Sequence, residues 1–201
     1  MTHGPEPGTI LNESGQPTVP RQAATVVVLR GGAERLEVLL VQRTPKARFM
    51  GGAWVFPGGA VDAGEDLRAT AVREVAEETQ IALPDPGALV PFARWITPPE
   101  VTIRFDTYFF LAPAPEGAEA LPDGSEIVDA RWFRPARALE GAEAGELLMV
   151  FPTIKNLELL ARFDTADALI GWASTHEVRP VQPRVEGQGE AARIVLDDDA
   201  G

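Results

Sequence analysis

The stretch Gly59 to Ile81, GAVDAGEDLRATAVREVAEETQI, constrains this chain more than any other. Residues Asp66 to Thr79 read as a helix. Asp66 is placed to cap its start, and Leu67, Ala71, Val75 and Ala76 form an apolar stripe at helical spacing. On that helix Glu74 precedes Glu78 by four residues and Glu77 by three. The spacing predicts three carboxylates on one side, away from the Leu67/Ala71/Val75 stripe. Adjacent carboxylates repel one another, and Arg73, four residues before Glu77, offsets only part of that. Hard divalent cations relieve the rest, because Mg²⁺ and Mn²⁺ prefer oxygen ligands. A solvated acidic helix face has the same local sequence, so REVAEE alone leaves both readings open.

The wider spacing is more specific. From Gly59, five residues lead to Glu65 and seven more to Arg73-Glu74. Val75, one residue, Glu77-Glu78, one residue, Gln80 and Ile81 follow. With Phe56-Pro57-Gly58 in front, this resembles the Nudix box, Gly-x5-Glu-x7-Arg-Glu-apolar-x-Glu-Glu-x-Gly-apolar. Every defining position matches except the second Gly, which is Gln80 here. The resemblance implies an α/β fold, a Nudix-type α/β/α sandwich around a mixed β-sheet with a loop-helix-loop catalytic motif. It also implies hydrolysis of a nucleoside diphosphate linked to another moiety, with Mg²⁺ or Mn²⁺ as cofactor. By the family pattern Glu74, Glu77 and Glu78 hold the metal, the Gly59 carbonyl adds a ligand, and Glu65 and Arg73 orient them. The general base is either a box Glu or a carboxylate from a later loop, with Glu100, Glu126 and Asp129 as candidates. Gln80 falls where such a helix ends in a left-handed residue. A non-Gly there costs about 1 kcal/mol and leaves the carboxylates untouched.

Two further stretches bear on the substrate. Residues 39–59, LLVQRTPKARFMGGAWVFPGG, resemble the signature preceding the box in the CoA-diphosphatase branch, with Val41 and Thr44 departing from it. Arg43 and Arg48 on that segment suit a 3′-phosphate or a diphosphate. Residues 93–112, ARWITPPEVTIRFDTYFFLA, together with Phe151-Pro152-Thr153, resemble the peroxisomal CoA-diphosphatase branch and its bacterial relatives, although this chain lacks the insertion that branch often carries before the catalytic helix. Trp95, Phe105, Tyr108 and Phe109 could stack on an adenine, although strand aromatics are more often core. The implied reaction is cleavage of CoA or acyl-CoA to 3′,5′-ADP and an (acyl)phosphopantetheine. Hydrolysis of ADP-ribose or a nucleotide sugar is the enzymatic alternative. A non-catalytic Nudix-fold nucleotide-binding regulator is another, and the intact Glu74, Glu77 and Glu78 argue against it.

The rest of the sequence sets limits. The 201 residues carry a net charge of −12, so the general field disfavours nucleic acid and anionic membranes as partners. Cysteine is absent, which excludes disulfides and thiolate catalysis, and the two histidines, His3 and His176, lie near the ends. No apolar run reaches the roughly 18 residues of a membrane span, and the start has no signal-peptide core, so a cytoplasmic location is expected. A homodimer is compatible with the sequence. Residues 1–20 read as a flexible arm, 21–184 as the Nudix domain and 185–201 as an acidic tail, loose apart from Ile194-Val195-Leu196. Strands are expected over 24–29, 37–42, 53–56, 89–97, 101–111 and 126–133. Further helices are expected over 135–150, 153–163 and 165–174. Strands before and after one central helix, with more helices at the end, suggest helices on both faces of a mixed sheet.

Overall fold

A computed structural model of the chain describes residues 11–12, 16–47, 49–187 and 193–196. In chain order it contains β1 (Arg21–Arg30), β2 (Glu37–Arg43), β3 (Trp54–Val55), β4 (Gly58–Ala60) and α1 (Leu67–Thr79). Then come β5 (Val90–Ile96), β6 (Phe105–Pro113) and β7 (Ile127–Phe133). Helices α2 (Pro135–Glu143), α3 (Phe151–Leu160) and α4 (Ala166–Ala173) follow, then β8 (Pro180–Val181), β9 (Arg184–Glu186) and β10 (Arg193–Val195).

The apolar run in β1 is buried from Ala23 to Leu29, so both faces of the sheet there require cover. Ala24, Val26 and Val28 meet Ala71 and Val75 of α1, while Val27 and Leu29 join Leu157, Leu160 and Leu169 of α3 and α4. Alternation along one strand thus builds two cores and the three layers. The main sheet runs β3-β2-β1-β6-β5-β8, with β4 pairing β1 and β7 pairing β2. The β1–β6 and β5–β8 pairs are parallel and the others antiparallel, so the sheet is mixed, as expected.

Several elements differ from the sequence reading. Helix α2 stops at Glu143 rather than continuing to Val150. Gly145 turns left-handed (φ 74°), its N–H bonds to the Ala142 carbonyl and that of Glu146 to Gly141, which closes the helix end. Strand β6 starts at Phe105, because the Val101 N–H closes a turn onto the Pro98 carbonyl at 3.1 Å. The glycine turn also contributes a strand of its own. Gly58 and Gly59 lie so close to their neighbours that a Cβ on Gly58 would meet the Ala24 carbonyl oxygen at 2.4 Å. The chain's late apolar triplet is not idle, since Ile194 is buried and β10 pairs with β9.

Candidate active site

Helix α1 begins as expected: the Asp66 carboxylate accepts from the N–H groups of Arg68 (2.9 Å) and Ala69 (3.3 Å). It ends at Gln80 with φ 61°, and the Gln80 N–H bonds to the Ala76 carbonyl at 3.0 Å. The left-handed terminus expected for a Gly is therefore taken by Gln, with its Cβ strain.

The three box carboxylates occupy three environments rather than one shared face. Glu77 is exposed and Glu74 half-buried. Glu78 is only 5% exposed, on the line of Ala71 and Val75, which corrects the expectation that it lies away from the stripe. The reason is helical phase: seven residues make almost two turns, so Glu78 returns to the position of Ala71. Glu78 accepts from the Gly58 N–H at 3.0 Å. Burial nevertheless pushes its carboxyl up to about 8, with Glu74 and Glu126 adding like charge against the Gly58 N–H and Arg43. Burial also raises the Glu74 carboxyl, against the pull of Arg73. Gly59 lies close against α1, and a Cβ there would meet the Glu74 carboxylate oxygens at 2.5–2.6 Å.

Arg73 ties the loop to the helix. Its Nε and Nη2 hold the two oxygens of Glu65 at 3.0 Å each. Its Nη1 bonds to both Glu74 and Glu77 at 2.8 Å. Glu65 also accepts from the Thr70 hydroxyl at 2.8 Å, and Arg73 with Thr70 lowers its carboxyl to about 2. In this arrangement, in which Arg73 pairs with Glu74 and Glu77, no group of three acidic or histidine side chains placed to hold an ion is found among the described residues.

Glu74 opens onto a cavity of about 370 Å³, among whose described lining residues Arg43, Glu74 and Glu126 are charged. The buried Nε of Arg43 has no hydrogen-bond partner among the described residues. Arg48 lies outside the described residues. Of the loop carboxylates, Glu126 lines the cavity, whereas Asp129 pairs with Arg131 at 2.5 Å and Glu100 accepts from the Val185 N–H at 3.4 Å. Trp95, Phe105 and Phe109 line the cavity. Tyr108 faces the other side of the sheet, with the Arg94 guanidinium 4.5 Å from its ring centre. Sequence reasoning missed Thr70, Gly58 as a donor, and Pro183 and Ile194 as lining residues. The box spacing could have suggested Thr70, one turn before Arg73-Glu74, whereas no local pattern points to the last two.

The sequence profile of the NUDIX domain matches residues 19–151. A crystal structure of a NUDIX hydrolase from Alicyclobacillus acidocaldarius superposes with a TM-score of 0.71 at 30% identity, covering 80% of this chain and 99% of that one. The NAD-capped RNA hydrolase NudC of Stutzerimonas stutzeri is 31% identical over 114 residues, 57% of this chain and 37% of that protein. The human acyl-coenzyme A diphosphatase NUDT19 is 35% identical over 82 residues, 40% of this chain and 22% of that protein. The match thus spans well under half the length of these two relatives.

Proposed function

The chain belongs to the Nudix family, and from that premise we propose that it hydrolyses the diphosphate bridge of a nucleoside diphosphate derivative, CoA or acyl-CoA in particular. The observation that carries this reading is the cavity in which Glu74, Glu126 and Arg43 meet beside the Gly59 turn. Crowded carboxylates raised by burial call for positive charge, and their hard oxygen donors fit Mg²⁺ or Mn²⁺. Glu74, Glu77 and Glu78 with the Gly59 carbonyl would hold the ion. When bound, it neutralises diphosphate oxygens and makes a water more acidic.

The remaining roles fall to the chain's own side chains. Glu65 and Arg73 position Glu74 and Glu77 through the hydrogen bonds described above. Glu126, on the cavity wall, accepts the proton of the attacking water. The water oxygen forms a bond to one phosphorus, the bond from that phosphorus to the bridging oxygen breaks, and the other phosphate leaves with the bridging oxygen. Arg43 supplies a cation for phosphate oxygens, and its unpartnered Nε is a donor to spare.

The CoA assignment draws on the 39–59 and 93–112 sequence resemblances and on the partial likeness to an acyl-CoA diphosphatase. A panel of CoA, dephospho-CoA and ADP-ribose with Mg²⁺ and Mn²⁺, read by product mass, tests it. CoA should give 3′,5′-ADP at the highest kcat/KM. Arg43→Ala should lower kcat/KM on CoA by about ten- to a hundredfold, and on dephospho-CoA by less if Arg43 serves the 3′-phosphate. Equal losses on both would assign Arg43 to the diphosphate, and a wild-type preference for ADP-ribose would exclude CoA as the main substrate.

A further inference from the structure

The cavity has two unlike sides. Its charged lining groups belong to one neighbourhood, since Glu74 and Glu126 act on each other and both of them, with Arg43, act on Glu78 beside the cavity. Gly59 in that neighbourhood pairs against β1, whereas Pro183 follows β8 at the far edge. Four strand steps, β4 to β1 to β6 to β5 to β8, separate them, about 19 Å at the usual spacing. On the far side the described lining residues include Thr97, Pro98, Val101, Pro183 and Ile194, none of them charged. The NUDIX match ends at residue 151, so Pro183 and Ile194 come from beyond it.

This apolar side is assembled from three distant parts of the chain. The turn 97–104 supplies Pro98 and Val101, and both neighbouring segments grip it. The Asn12 N–H bonds to the Glu100 carbonyl at 2.7 Å, and the Thr18 hydroxyl to the Thr102 carbonyl at 2.8 Å. From the other direction the Val185 N–H bonds to the Glu100 carboxylate. Arg104, 8% exposed, ties the turn to the segments around Thr18 and Gln182. It donates to the Thr97 carbonyl (3.0 Å), the Thr18 carbonyl (2.6 Å) and Gln182 Oε1 (3.4 Å). A buried guanidinium held by neutral acceptors on separate segments fixes their relative positions.

We propose that Val101, Pro183 and Ile194 form an apolar subsite for an aliphatic extension of the group esterified to the nucleoside diphosphate, and that Arg104 is the positioning residue that holds it together. The proposal rests on the diphosphatase reading above. A polar sugar or a second phosphate would lose hydration there without finding partners, whereas methylene groups gain by leaving water.

The test compares two P²-alkyl esters of ADP, methyl and n-hexyl, under Mg²⁺ or Mn²⁺, beside CoA. A fully buried methylene contributes about fourfold in affinity, so burying two or three of the added five should raise kcat/KM at least tenfold for the hexyl ester. The gain should appear in KM. Ile194→Ser and Pro183→Ser should each draw the hexyl-to-methyl ratio toward one; the second variant covers the case in which Ile194→Ser fails to fold. Arg104→Met should do the same, with Arg104→Lys restoring part of the ratio, which a general loss of stability would not produce. Equal kcat/KM for the two esters in the wild type, or an unchanged ratio in folded Ile194→Ser and Pro183→Ser, would overturn the subsite while leaving the diphosphatase reading in place. Absence of hydrolysis of both esters and of CoA would overturn the two together.

Discussion

Glu78 and Gln80 sit two residues apart on α1 and make opposite demands on the fold. Glu78 buries a carboxylate with one backbone donor, an arrangement that costs stability unless a cation faces it. Glu78→Gln keeps the shape and the acceptor for the Gly58 N–H while removing the charge. Turnover should fall by about a hundredfold or more, with the melting temperature of the metal-free protein retained or raised. Near-normal kcat in the folded variant would remove Glu78 from the site. Gln80 carries strain instead, at φ 61°. Gln80→Gly should raise stability by a few tenths to about 1 kcal/mol in denaturant titration, since the gain of unfolded entropy offsets part of the relief. A clear loss would show that the Gln side chain contributes more than its backbone costs.

At the scale of elements, the loop before β7 is organised by Asp123. Its carboxylate accepts from the Ser125 hydroxyl and from the N–H groups of Ser125, Glu126 and Ile127. Burial alone pushes the carboxyl up, but the Ser125 hydroxyl and the three N–H groups outweigh it and hold it at about 2. A depressed folded value means that the unfolded chain binds the proton first. The stabilisation is therefore complete above the ordinary value of 3.8 and is lost as pH falls toward 2. Asp123→Asn should cost about 1 kcal/mol or less at pH 7, the loop being exposed, and urea melts should show the gap closing between about pH 4 and 2. A gap that persists at pH 2 would mean that shape, not charge, orders the loop. The same elements show what the sequence discloses. The cap at Asp66, the left-handed Gln80 and the buried β1 are local events, and each was legible in a few residues. The burial of Glu78 was legible too, had the seven-residue return to Ala71 been followed instead of the three-residue and four-residue spacings. The end of α2 turned on one glycine, Gly145, inside a sequence that otherwise favours helix.

For the whole molecule, the box pointed to the candidate site because its residues are close in sequence. The cavity did not announce itself, because its wall gathers residues from Ala23 to Ile194. Arg104 illustrates the difficulty: its acceptors lie on Thr18, Thr97 and Gln182, a set that only the folded chain brings together. No helix among the described residues is long and apolar enough to cross a membrane. On the proposed reading, this cavity cleaves a diphosphate bridge with the α1 carboxylates and a divalent ion. The most direct test is product analysis by mass of CoA incubated with wild type and Glu78→Gln, in Mg²⁺ and in a chelator. Wild type in Mg²⁺ alone should yield 3′,5′-ADP and phosphopantetheine. Formation of the same products at wild-type rate in the chelator, or by folded Glu78→Gln, would contradict that reading.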